Sequence, residues 1–217
     1  MGRSVSSMSV ALFGGTFNPI HFGHLNLANH LVDYLGVASV RLMPCAIPPH
    51  RETPNVSAEH RMIMLELATA KNSALIVDDL ELKRASTSYS IDTLDLVRQK
   101  IGAKIPLFFC LGTDALLSID SWHRWIELLD YCHIVICSRP NYQLPKGGVV
   151  AHWVGQHLCD DLTKVKKQSH GYLHLCKIPP LDISSTAIRD SIKCGKSIDN
   201  MTSEPVVNYI KQHSLYE

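Results

Sequence analysis

The chain has 217 residues, 46% of them hydrophobic and 19% charged, so it can bury a sizeable core and is not a disordered polar chain. At about 150 residues per domain, this length predicts one domain over 1–217, with 183–217 as a C-terminal helical part. A formal net charge of +1 excludes a protein coated with positive charge for nucleic acid or a membrane surface, so any polyanion must be met by a local site.

No apolar stretch approaches the about 18 residues that a membrane-spanning helix needs, and residues 10–13 are too short for a signal-peptide core. Seven cysteines form no C-x-x-C pair, and most fall in apolar runs; they predict buried free thiols and a reducing, cytoplasmic setting.

In chain order, 9–13 reads as a buried strand, followed by a Gly-rich turn and a helix. Leu25, Ala28, Leu31, Val32 and Leu35 form that helix's apolar face, and Gly36 fits just past its end. A second strand, 39–43, stops at Pro44. Ser57 can cap a helix reaching about residue 71, with Met62, Leu65, Ala68 and Thr69 along one side. A third strand, 75–77, precedes a helix capped by Ser90 that turns Ile91, Leu94, Val97 and Ile101 inward. Strands 105–111 and 133–137 flank an aromatic helical segment at 121–131. Residues 141–148 are loop-like, and 149–158 and 172–178 fit either strand or helix. Two helices close the chain, 184–194 and 205–213, the second with Pro205 in its first turn. Continuous apolar strands alternating with helices give an α/β class, a Rossmann-like doubly wound parallel sheet with a C-terminal helical extension.

Ligands of such sheets bind at the carboxyl ends of the strands, where the strand order reverses. After the first strand come Gly14-Gly15-Thr16-Phe17-Asn18-Pro19-Ile20-His21-Phe22-Gly23-His24. Two glycines let backbone N–H groups approach an anion, and the next helix aims its positive end at the same place. His21 and His24, three apart, lie on one side of a first helical turn, and Gly23 leaves room between them. With no Cys or carboxylate at matching spacing, a zinc site is disfavoured. A second cluster is Ile183-Ser184-Ser185-Thr186-Ala187-Ile188-Arg189. Hydroxyls and free N–H groups at a helix start, with a guanidinium one turn in, suit phosphate, although these residues alone favour an ordinary N-cap beside a surface Arg.

The first stretch resembles the G-[GT]-F-D-P-x-H-x-G-H signature of the nucleotidyltransferases, and 183–189 resembles their I-S-S-T-x-I-R motif. Pro48-Pro49-His50-Arg51, Thr87-Ser88-Tyr89-Ser90-Ile91-Asp92-Thr93-Leu94, Leu111-Gly112-Thr113-Asp114 and Trp122 are similar to landmarks of the bacterial nicotinate-nucleotide adenylyltransferase family, in chain order. Two positions depart from the pattern: Asn18 replaces the usual Asp, and Thr113 stands where Ala or Ser is commoner.

This resemblance implies transfer of the adenylyl group of ATP to nicotinate mononucleotide, giving nicotinate adenine dinucleotide and pyrophosphate in NAD biosynthesis. It implies His21, His24 and Arg189 as catalytic residues. Gly14, Gly15, Thr16, Phe17, Gly112, Asp114, Ile183, Ser184, Ser185 and Thr186 would join His24 and Arg189 in binding ATP and its phosphates. Thr87, Tyr89, Trp122, Arg139 and Arg51 would meet the nicotinate nucleotide. Mg²⁺ would ride on the ATP phosphates, with no metal site of the protein's own. The alternatives are another nucleotidyltransferase, such as a phosphopantetheine adenylyltransferase, or a non-catalytic nucleotide sensor. No nucleic-acid motif is present, and the sequence is neutral on whether copies assemble into a homo-oligomer.

Overall fold

The computed structural model describes residues 9–45, 56–83, 89–138, 144–177, 181 and 183–217. Six strands form the centre: β1 (Val10–Gly15), β2 (Val40–Pro44), β3 (Leu75–Val77), β4 (Leu107–Gly112), β5 (His133–Ser138) and β6 (Leu173–Lys177). They make one sheet in the order β3-β2-β1-β4-β5-β6, every pairing parallel. The chain winds outward from β1 to β3, then returns to lay β4 along the other side of β1, so the order reverses between β1 and β4. A ligand crevice is expected above their carboxyl ends.

Helices cover both faces, and strand alternation assigns each face its core. Ala11, Phe13, Leu42, Cys110 and Val135 point to one side. There they meet Ala28 and Leu31 of α1 (Phe22–Leu35), Met64 and Leu65 of α2 (Ala58–Thr69), and residues of the two last helices. Leu12, Leu107, Phe109, Leu111 and Ile134 point to the other side, against Ile91, Leu94 and Val97 of α3 (Ser90–Ile101) and Trp153 of α5 (Gly148–His157). The doubly wound α/β reading holds. All seven cysteines are free thiols, five of them buried.

Capping follows the sequence in most places. Gly36 ends α1 in the left-handed conformation, and Ser57 Oγ accepts from His60 N at 3.3 Å. Several local readings are corrected. Tyr89, not Ser90, stands at the N-cap of α3, and Ser90 is its first helical residue. Segment 121–131 is not one helix: 3₁₀ turns at Ile119–Ser121 and Trp125–Asp130 are separated by left-handed Arg124 (φ 53°). Trp122 packs on Phe109 and Trp125 on Trp153, so tertiary contact overrides helical propensity. The buried face of α2 is Arg61, Met64, Leu65 and Thr69, with Met62 only half-buried, because an inward Arg breaks the apolar pattern. The two ambiguous segments resolve as α5 and β6, and Gly148, expected in a loop, begins α5. A short helix, α6 (Leu162–Lys166), was not anticipated; Asp161 caps it by accepting from Thr163 N and Lys164 N.

At the amino ends of the strands, Arg98 donates to the carbonyls of Gly102, Ile105, Tyr131 and Ser169. His133, fully buried there, bonds the Gln168 carbonyl through Nε2 and accepts from Tyr172 N at Nδ1. That pairing fixes one neutral tautomer, and burial lowers its pKa to about 4.

Candidate active site

The carboxyl end of β1 runs into the Gly14–Gly15 turn beside the reversal point. At Gly14 a Cβ would stand 3.2 Å from the Phe109 ring of β4, and at Gly15 it would come within 2.8 Å of the Phe17 ring. Phe17 itself has φ 47°, a conformation rare outside glycine. Its ring is buried, edge-on to Phe13 (5.6 Å) and His24 (5.1 Å), which holds the chain in that shape. The Asn18–Pro19 peptide is cis.

His21 then caps α1 by position, and His24 lies in its first turn. Their rings stack with centroids 3.7 Å apart; His21 is buried and His24 half-buried above it. Gly23 permits this, since a Cβ there would stand 2.9 Å from two atoms of the His21 ring. The same Cβ would be 3.4 Å from the Ile183 carbonyl, so the later motif arrives directly beside the histidine pair.

That motif opens α7 (Ser185–Lys193), capped by Ser184 Oγ accepting from Ala187 N at 3.1 Å. Ser185 Oγ donates to the Pro19 carbonyl (2.9 Å), and Arg189 donates to the Asn18 carbonyl (2.9 Å) and to Thr186 Oγ1 (3.2 Å). Across the reversal point, Gly112 precedes α4 (Thr113–Leu117). The Asp114 carboxylate folds back so that a Cβ on Gly112 would be 2.6 Å from its Oδ1. On the flank, Trp122 meets Phe109 edge-on at 6.4 Å, and the Tyr89 and His123 rings are 4.5 Å apart. Thr87, Arg51 and Arg139 lie outside the described residues.

Three participants escaped the sequence reading. Arg61, 1% exposed, donates to the carbonyls of Thr16 (2.7 Å) and Cys45 (2.8 Å), pinning the glycine turn to the end of β2; burial pushes its pKa down. Thr202 Oγ1 donates to the Ile20 carbonyl at 2.9 Å, while Phe22 N donates to the Met201 carbonyl. Tyr216 donates to Asn18 Oδ1 at 2.8 Å, and burial holds its phenol well above the usual range. A charged residue at the inward position of α2 was the one visible signal among the three.

Fold and site together define a class, the nucleotidyltransferases. The cytidylyltransferase-like family model matches residues 12–191, a span that includes both halves of the site, and the chain belongs to that family. Over 210 residues it is 41% identical to a curated Serratia proteamaculans protein named "Probable nicotinate-nucleotide adenylyltransferase", covering 95% of this chain and 94% of that one. A Yersinia enterocolitica protein of the same name is 42% identical over 215 residues, covering 99% and 98%. At this likeness the chain falls within the nicotinate-nucleotide adenylyltransferases. Plasmodium falciparum nicotinic acid mononucleotide adenylyltransferase, solved complexed with NaAD, superposes with a TM-score of 0.72 at 18% identity, over 96% of this chain and 97% of that one, a likeness of fold. Among the described residues no helix is long and apolar enough to cross a membrane.

Proposed function

We propose that this chain joins the adenylyl group of ATP to nicotinate mononucleotide, releasing pyrophosphate and nicotinate adenine dinucleotide. The observation that carries the reading is the meeting of its two distant motifs: Gly23 faces the Ile183 carbonyl, and Arg189 holds the Asn18 carbonyl. A pair of imidazoles and a guanidinium are thereby gathered around the loop that follows β1, an arrangement suited to a crowded polyanion.

The acceptor's phosphate oxygen is already anionic at neutral pH and attacks the α-phosphorus in line, so no general base is required. Catalysis is then positioning and charge stabilisation. His24, the more exposed of the stacked pair, donates an N–H to phosphate oxygens as negative charge moves towards pyrophosphate. His21, buried beneath it, fixes the orientation of that ring. The Gly14–Gly15 backbone and Thr16, with Phe17 shaping the turn, cradle the α-phosphate. Ser184, Ser185, Thr186 and Arg189 receive the β- and γ-phosphates, with the Ile183 backbone lining the approach. Asp114, beyond Gly112 at the reversal point, accepts from the adenosine ribose. Mg²⁺ enters as part of the MgATP substrate, since its preference for phosphate and water requires no carboxylate cage. Among the described residues no three His, Cys, Asp or Glu side chains are grouped to hold an ion.

The nicotinate ring stacks on Trp122, which is one ring (Phe109) away from Gly14. Tyr89, at the start of α3, brings backbone N–H groups towards the nicotinate carboxylate, with Thr87, Arg51 and Arg139 as further contacts. The test is pyrophosphate release from ATP with nicotinate mononucleotide, nicotinamide mononucleotide or phosphopantetheine as acceptor. Release with nicotinate mononucleotide and a product of dinucleotide mass are expected. Release with phosphopantetheine alone would overturn the reading, and release with none of the three would make the chain a sensor.

A further inference from the structure

The segment after α8 (Glu204–Gln212) turns back towards the site through a left-handed cap. Ser214 N donates to the Lys211 carbonyl and Leu215 N to the Ile210 carbonyl, while Ser214 (φ 45°) and Tyr216 (φ 71°) both hold left-handed conformations. At Ser214 this is a common left-handed close of a helix, whereas at Tyr216, beyond it, side chains rarely adopt that region and surrounding contacts impose it. Leu215 is buried in the core between them and anchors the reversal. The outcome is one polar contact: the Tyr216 hydroxyl donates to Asn18 Oδ1 at 2.8 Å.

Asn18 is therefore gripped twice, by Tyr216 on its side chain and by Arg189 on its carbonyl. Arg189 is itself tied at both terminal nitrogens, to Asn18 and to Thr186. Where its guanidinium stands thus depends on where Asn18 stands. We propose that Tyr216 is a positioning residue for ATP: through the Asn18 side chain it fixes the guanidinium of Arg189. The inference rests on the proposed reading, which supplies both the acceptor and the hold of Arg189 on the ATP phosphates. The nicotinate flank, Tyr89 and Trp122, packs with the other core, beyond the reversal point, so it does not feel this contact.

Tyr216→Phe keeps the ring and removes the hydroxyl. Losing one partly buried hydrogen bond should weaken MgATP, titrated by calorimetry without acceptor, by about three- to tenfold. In steady-state kinetics the KM for ATP should rise by the same factor, and that for nicotinate mononucleotide should stay within twofold. Unchanged ATP affinity would overturn the proposal, and so would an equal rise in both KM values, the mark of general loosening. Asn18→Ala, which removes the acceptor from the other side, must reproduce the ATP-selective loss even if the Phe variant fails to fold. The double variant must bind ATP no worse than the weaker single one; additive losses would also overturn it. A wild-type chain that binds ATP but does not turn over nicotinate mononucleotide removes the acceptor from that reading and leaves the ATP titration standing.

Discussion

His24 is where chemistry and packing separate most cleanly. Its ring touches Phe17 and His21, but it is half-exposed and the apolar core closes without it. His24→Ala should keep its thermal midpoint within a few degrees while turnover falls about 10²- to 10⁴-fold, the range for a lost transition-state hydrogen bond. Near-normal turnover in a folded variant would remove His24 from the mechanism. Both histidines, the glycines and Arg189 were legible in the sequence because the chemistry repeats a short local pattern. Arg61, Thr202 and Tyr216 were not, since each reaches across the fold to an oxygen on the 16–20 turn, and such a bond leaves no periodicity behind.

Among the elements, α2 is unusual in turning a guanidinium rather than an alkyl chain towards the sheet. Arg61 ties the loop after β1 to the end of β2 through the Thr16 and Cys45 carbonyls. Arg61→Met keeps the bulk but strips both carbonyls of a charged donor, and charged hydrogen bonds contribute about 1.5–3 kcal/mol each. Two such bonds, less the cost of burying the guanidinium that Met avoids, leave an expected loss of about 2–4 kcal/mol in urea unfolding, and a loss below about 1 kcal/mol would show that the tie is ornamental. The strands were readable because a strand covered on both faces is a plain apolar run. What could not be read was anything decided by neighbours: the 3₁₀ turns around Trp122 and Trp125, the helical state of α5, and the five residues of α6. Short segments carry too little pattern of their own to outvote tertiary contact.

At the scale of the whole molecule, the parallel sheet places its two polar clusters at opposite ends. The candidate site occupies the carboxyl ends of the strands, while Arg98 and His133 knit the amino ends. Burial holds His133 neutral, with a folded pKa of about 4 against 6.5 for the free side chain. Below pH 6.5 the unfolded chain therefore binds a proton that the folded one refuses, so stability falls from there down to about pH 4. The full loss should be about 3 kcal/mol. Urea midpoints at pH 7, 5.5 and 4.5 check it, and His133→Asn should flatten the decline; an identical slope in that variant would assign the acid sensitivity elsewhere. Because this group is remote from the histidine pair, acid unfolding and loss of turnover should follow separate curves.

Most of the tethers on the 16–20 turn end on main-chain oxygens, those of Thr16, Asn18, Pro19 and Ile20. Every amino acid supplies that atom, so those bonds do not distinguish one side chain from another, whereas at Asn18 a side-chain oxygen is held as well. The bonds at Thr16, Pro19 and Ile20 therefore hold the loop whatever side chain stands there, and the demand for one particular side chain is concentrated at Asn18.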